Sequence, residues 1–141
     1  MTACERERST VLCVDDNAGI AEALRMKFSS GPLHWLGWLP DATDLVEKVK
    51  AECPAIVLLD LDMPGPDPFE ALAQIASTGC ATKVVIFSGH VRRELLDKAI
   101  EAGAWGYVSK NEGAGALMQT IERVLQGEFA LSDEVRAIAG C

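Results

Sequence analysis

Residues 55–68 read AIVLLDLDMPGPDP, an apolar run that ends in two acidic residues and a proline-glycine loop. The five unbroken apolar residues, 55–59, are typical of a strand buried on both faces, as in the middle of a parallel sheet. The proline-glycine cluster after Asp62 ends this strand in a loop. Asp60 is therefore expected at the carboxyl end of a central strand, where open α/β sheets bind their ligands.

Length and composition indicate one globular domain. The chain has 141 residues, 49% hydrophobic and 24% charged, which is enough for one hydrophobic core. A net charge of -8 argues against direct nucleic-acid binding, because phosphate contacts need clustered Lys and Arg. The polar N-terminus, MTACERERST, does not resemble a signal peptide, and no apolar run approaches the roughly 20 residues of a membrane span. We therefore expect a cytoplasmic protein that does not bind a membrane.

The five cysteines, at positions 4, 13, 53, 80 and 141, are scattered and form no CxxC motif. An odd number without regular spacing favours reduced thiols over a disulfide framework or a zinc site.

Apolar runs and helical periodicities alternate five times along the chain. Strands are expected at residues 10–14, 34–39, 55–59, 83–87 and 105–108. Helices are expected at about 20–30, 41–53, 69–78, 92–102 and 114–126. Five β-then-α units predict an α/β fold with a parallel sheet and helices on both faces. The expected organisation is a polar tail (1–9), the domain (10–127) and a C-terminal tail or truncated linker (128–141).

Polar residues follow four of the predicted strands: Asp15 and Asp16 the first, Asp60 the third, Ser88 the fourth and Lys110 the fifth. The carboxyl ends of parallel strands lie at one edge, so we expect these side chains to converge in a shallow pocket. Three carboxylates repel one another, and Mg²⁺, which prefers oxygen ligands, would relieve that repulsion. Lys110 and Ser88 could hold a phosphoryl group in transfer, with Asp60 as the nucleophile.

Four motifs make the chain resemble the receiver domain of two-component response regulators over about residues 9–127. They are VDDN at 14–17, LLDLDMPG at 58–65, FSG at 87–89 and GAWGYVSK at 103–110. Their order and spacing together are specific to that family. The resemblance implies a flavodoxin-like fold, with five strands in the order 2-1-3-4-5 and five flanking helices.

The resemblance also implies residue roles at the phosphorylation site. Asp60 would be the phosphate acceptor. Asp16 would ligate Mg²⁺ directly and Asp15 mainly through water, with Asp60 and the Asp62 backbone carbonyl completing the protein ligands. Lys110 would hold phosphoryl oxygens.

The same resemblance implies a switch and its partners. Ser88 would also hold the phosphoryl group, and Tyr107 would be the aromatic that turns inward when the Ser88 hydroxyl moves toward the phosphate. The donor would be a sensor histidine kinase or a phosphotransfer protein. The surface of helix 4, strand 5 and helix 5 would change state and could form a homodimer. Trp105 is a candidate anchor for a partner, although packing against a flanking helix is equally compatible with the sequence.

Two features depart from the family pattern or vary within it. Asp67-Pro68 stands where receivers commonly have Asp-Gly, and Asp62 and His90 occupy variable positions at which phosphate lifetime is tuned. The segment EFALSDEV, residues 128–135, resembles the exit from receivers that continue into a helix-turn-helix DNA-binding domain. The chain is expected to be either a stand-alone receiver or a receiver without its output domain.

Two other functions are compatible with parts of the sequence. Asp60-Leu61-Asp62 also resembles the nucleophile motif of haloacid-dehalogenase-type phosphatases, but there the motif comes first in the chain and an acidic pair comes last. A phosphorylation-independent scaffold would keep the fold, although the intact site argues against it. We expect a protein that catalyses its own phosphorylation and dephosphorylation and does not turn over an external substrate.

Overall fold

The computed structural model describes residues 9–140, so the predicted N-terminal tail lies outside the described residues except for Ser9. Within this range, six strands form one parallel sheet in the order β2-β1-β3-β4-β5-β6. The strands are β1 (Thr10–Val14), β2 (His34–Leu39), β3 (Ile56–Leu59), β4 (Lys83–Ser88), β5 (Gly106–Ser109) and β6 (Ala130–Leu131). The helices are α1 (Ala18–Ser29), α2 (Leu45–Glu52), α3 (Pro68–Ala76), α4 (Arg93–Ala102), α5 (Gly113–Leu125) and α6 (Asp133–Ala139). A single 3₁₀ turn, Lys110–Glu112, joins β5 to α5.

The central strands are apolar throughout because both of their faces are covered. In β3, Val57 and Leu59 belong to the core cluster that includes residues of α2, α3 and α4. Ile56 and Leu58 belong to the cluster on the other face, with residues of α1 and α5. Since side chains alternate along a strand, a strand covered on both faces needs an unbroken apolar run. No helix between residues 9 and 140 has the length and apolar character needed to cross a membrane.

The predicted α/β class is confirmed, but the predicted five strands and five helices are wrong by one of each. Beyond α5, Ala130 N donates to Trp105 O (3.0 Å), which adds β6 to the outer edge of β5. Then α6 follows, and Val135 on it is fully buried. A two-residue strand is too short to produce a recognisable alternation of apolar and polar residues, so the sequence pattern does not predict it.

The cysteine prediction is wrong for one pair. Cys53 and Cys80 form a disulfide with a Cα–Cα distance of 5.5 Å, and it joins the end of α2 to the loop before β4. No spacing motif marks these two residues, which are 27 positions apart. Cys13 is a buried free thiol, and burial raises its pKa to about 12. The remaining two cysteines lie outside the described residues.

Candidate phosphorylation site

The carboxyl edge of the sheet brings three acidic residues and one lysine together. Asp15 and Asp16 follow β1, Asp60 follows β3 and Lys110 follows β5. One carboxylate oxygen from each of the three aspartates lies within 4.8 Å of the others. The Lys110 Nζ atom lies 2.7 Å from Asp15 Oδ2 and 3.5 Å from Asp60 Oδ1. One ammonium group therefore contacts two of the three carboxylates.

The sheet itself fixes the positions of the two buried aspartates. Asp15 N donates to Leu39 O at 3.0 Å, and Asp60 N donates to Val14 O at 2.9 Å. These bonds hold both residues in register with the neighbouring strands, just where the strands end. Asn17 then caps α1 with its side-chain oxygen, so the helix begins immediately after the acidic pair.

Burial makes the charges of this site costly. Asp15 is 2% exposed and Asp60 is 4% exposed, whereas Asp16 is open to solvent. Burial raises the pKa of Asp60 above its ordinary value, the Lys110 ammonium opposes this rise, and Asp15 adds to it. With three carboxylates and one ammonium, the cluster carries excess negative charge. Its donors are oxygens only, which is the ligand set that Mg²⁺ prefers, so the residues fit this cation.

A cleft of about 250 Å³ opens above the cluster. Its rim contains Asp62 and His90, both largely exposed, whose Oδ2 and Nε2 atoms lie 3.3 Å apart. Asp62 N points back to Asp60 Oδ1 at 3.4 Å. The lining residues are Asp16, Asn17, Asp60, Asp62, Gly89, His90 and Lys110.

Ser88 and Tyr107 lie behind this cleft rather than in its lining. Ser88 is fully buried at the end of β4, and its hydroxyl oxygen accepts a hydrogen bond from His90 N at 3.0 Å. The Tyr107 side chain is 1% exposed, and its hydroxyl donates to His90 O at 2.5 Å. Burial raises the pKa of Tyr107 to about 12. The aromatic ring is therefore inward, and His90 backbone atoms connect it to Ser88.

Two residues that the sequence analysis did not select also shape the site. The Trp38 indole N–H donates to Asp15 O at 2.6 Å, and Asn17 N donates to Asp15 Oδ1 at 2.9 Å. In the sequence, the features that could have indicated these contacts are a tryptophan near the end of β2 and an asparagine directly after the acidic pair. Trp105, the candidate anchor, is 36% exposed, and the Lys83 Nζ atom lies 5.0 Å from its ring centroid.

Comparisons with known proteins agree on one family. A family model described as the response regulator receiver domain matches residues 11–122. A putative transcriptional regulator of Pseudomonas aeruginosa is 29% identical over 84% of this chain and 58% of its own length. The nitrate/nitrite response regulator protein NarL of Escherichia coli is 25% identical over 94% of this chain and 62% of its own length. The chain thus spans about three fifths of these curated relatives.

Solved structures point the same way. A two-component response regulator of the LuxR family from Aurantimonas sp. SI85-9A1 superposes with a TM-score of 0.87 and 31% identity, covering 94% of this chain and 96% of that one. The signal receiver domain of the putative response regulator NarL from Mycobacterium tuberculosis gives a TM-score of 0.80 and 26% identity, covering 86% and 98%.

Proposed function

The chain belongs to the response regulator receiver domain family, and on that premise we propose that Asp60 accepts a phosphoryl group from a phosphohistidine. The observation that carries the proposal is the environment of Asp60. Its carboxylate lies at the end of the central strand β3, with the Lys110 ammonium 3.5 Å away and two more carboxylates beside it. This arrangement supports the proposal, because a carboxylate beside an ammonium could act as a nucleophile while the ammonium stabilises phosphoryl oxygens.

In the proposed reaction, a carboxylate oxygen of Asp60 attacks the phosphorus atom of the phosphohistidine. The P–O bond forms, the P–N bond breaks, and the imidazole nitrogen leaves with the electron pair. Only the ionised carboxylate is nucleophilic, so the Lys110 ammonium, which opposes the burial-raised pKa of Asp60, keeps the attacking form available. The Lys110 N–H groups and the Ser88 hydroxyl would donate to the phosphoryl oxygens.

Asp15, Asp16, Asp60 and the backbone carbonyl of Asp62 would hold Mg²⁺. When bound, the cation offsets the negative charge of the carboxylates and of the incoming phosphoryl group. The solvent exposure of Asp16 supports a ligand set shared with water, since Mg²⁺ usually keeps several waters.

The proposal includes the partners expected from the sequence. The protein would be cytoplasmic, and the donor would be a sensor histidine kinase or a phosphotransfer protein. Phosphorylation would shift an existing two-state equilibrium in which Ser88 and Tyr107 take part. Curated relatives include proteins named as transcriptional regulators or activators, which supports a role in transcription through a partner or a further domain.

The test is the intact-protein mass after incubation with a small phosphodonor and Mg²⁺. Wild-type protein should gain one phosphoryl group, and the gain should disappear when the cation is chelated. Asp60→Asn should gain none, whereas Asp44→Asn, at an exposed position at the start of α2, should match the wild type.

Two results would contradict the proposal. Undiminished labelling of Asp60→Asn would place the acceptor elsewhere. A wild-type protein that neither gains the group nor binds Mg²⁺ would favour the scaffold function.

A further inference from the structure

Residues 128–140, the C-terminal segment, contain β6 and α6 and lie against β5. Ala130 N donates to Trp105 O at 3.0 Å, and Ser132 N donates to Tyr107 O at 3.1 Å. The Ser132 hydroxyl in turn accepts a hydrogen bond from Ser109 N at 3.3 Å. Three hydrogen bonds therefore fasten the segment to the strand that leads directly into Lys110.

A fourth hydrogen bond connects the segment to the 3₁₀ turn itself. Glu112, the last residue of that turn, accepts from Glu134 N through Oε1 at 3.2 Å and so caps the first turn of α6. Lys110, the first residue of the same turn, contacts Asp15 and Asp60. One short turn thus has the phosphorylation site at one end and α6 at the other.

The docking of the segment is limited in extent. Its strand has two residues, and the buried residues of the segment are Ala130, Ser132 and Val135. The Glu112 Oε2 atom is buried and has no hydrogen-bond partner among the described residues, which is energetically unfavourable. A cavity of about 70 Å³ remains between α5 and the segment. Undocking would break the four hydrogen bonds described above, and all four join the segment to residues 105–112.

We propose that phosphorylation of Asp60 causes the C-terminal segment to undock partly from β5. This inference rests on the proposed function. A phosphoryl group on Asp60 gives the Lys110 ammonium a new anionic partner and draws it away from Asp15, to which it is now bound at 2.7 Å. Because Lys110 begins the turn, the turn adjusts, and Glu112 loses its hydrogen bond to α6.

The experiment is hydrogen exchange of the full chain, followed by mass spectrometry, with and without a small phosphodonor and Mg²⁺. The intact mass of each sample is measured in parallel. We expect phosphorylation to cause loss of protection in peptides that cover residues 128–140. A labelled protein with unchanged or increased protection there would overturn this inference alone. A protein that is neither labelled nor able to bind Mg²⁺ would overturn the proposed function, and this inference with it. If the protein binds Mg²⁺ but is not labelled, the same comparison is made with beryllium fluoride, a phosphoryl analogue.

Three variants distinguish coupling from simple stabilisation. Glu112→Ala should lower protection of the segment in both states and abolish its response to phosphorylation, whereas Glu112→Gln, which retains an acceptor oxygen, should preserve the response. Ser132→Ala should also lower protection, but it leaves the turn intact and should keep the response. Glu122→Ala, at an exposed position on α5, is the matched control. A Glu112→Ala protein that responds like the wild type would refute the role of the turn.

If phosphorylation changes how tightly the segment docks, then docking of the segment must change the free energy of the phosphorylated site by the same amount. If phosphorylation loosens the segment, then a loosened segment favours the phosphorylated site. Glu112→Ala should therefore bind Mg²⁺ with beryllium fluoride, a phosphoryl analogue, more tightly than the wild type. Equal or weaker binding would count against the inference.

Discussion

Replacing Asp60 by Asn should make the cation-free protein more stable, because the change removes one of three clustered charges. The three carboxylates lie within 4.8 Å of one another, so at an effective dielectric constant of about 20 each neighbour repels Asp60 by roughly 3.5 kcal/mol. At the same dielectric constant, attraction to the Lys110 ammonium at 3.5 Å stabilises the Asp60 charge by roughly 4.7 kcal/mol. Screening weakens the contribution of the exposed Asp16, and burial of the Asp60 charge adds a penalty. We expect a net gain in unfolding free energy of about 1–2 kcal/mol.

The gain depends on pH with a definite sign. Burial raises the pKa of Asp60, so above that pKa the ionised residue lowers the stability of the folded wild type relative to the unfolded chain. The advantage of Asp60→Asn is therefore present at neutral pH and disappears as the pH falls through the folded-state pKa, where the wild-type residue is protonated. Saturating Mg²⁺ should also reduce or reverse the advantage, because the cation binds the wild-type carboxylates more tightly.

Thermal unfolding of the cation-free proteins measures this effect. At about 3 °C per kcal/mol for a chain of this size, Asp60→Asn should melt roughly 3–6 °C above the wild type. Asp44→Asn removes a charge of the same sign from an exposed position and should show little change. If the two variants melt at the same temperature, charge repulsion at the cluster does not limit stability and the reasoning fails.

Three further changes address other parts of the molecule. Lys110→Met leaves Asp15 buried without its charged partner and should lower the unfolding free energy by about 3 kcal/mol in urea titrations. Lys110→Arg keeps the positive charge and should retain most of that stability. Equal losses in the two variants would exclude the charge as the cause. Cys53→Ser removes the disulfide to Cys80 and should lower the unfolding free energy by about 3.5 kcal/mol for a 27-residue separation. Reductant should have the same effect on the wild type and none on the variant. A wild type whose stability does not change with reductant would contradict this prediction. Trp105→Ala should weaken self-association in sedimentation, measured under conditions in which the variant is shown to be folded, because the 36%-exposed ring also packs against the domain; unchanged association would remove it as an anchor.

The sequence predicted the sheet and its polar edge because both have local signals. The unbroken apolar run of β3 is required by the two core clusters that receive alternate side chains of that strand. Pro64 and Gly65 mark the loop after the strand and so indicate that Asp60 lies at the carboxyl end of β3. Gly65 has φ 93°, a conformation that favours glycine. From these signals and the order of the strands, the meeting of Asp60 with Lys110 follows without any knowledge of distances.

The features that the sequence did not predict depend on contacts between distant residues. Cys53 and Cys80 acquire a short Cα–Cα distance only once the end of α2 and the loop before β4 are brought together by the fold. The last strand and helix have two and seven residues, which is too short for a clear apolar periodicity, and backbone hydrogen bonds to Trp105 and Tyr107 help to hold them in place. The capping role of Glu112 likewise appears only when α6 is in place.

The sixth strand changes how the surface of α4, β5 and α5 could form a homodimer. In a five-stranded sheet, β5 would be an open edge, available for pairing with a second copy. Here the carbonyls of Trp105 and Tyr107 on that edge are already bonded to Ala130 and Ser132. A homodimer through α4, β5 and α5 must therefore include the C-terminal segment or displace it. Because Glu112 joins that segment to the turn that carries the site lysine, self-association should respond to phosphorylation only when protection of residues 128–140 responds too.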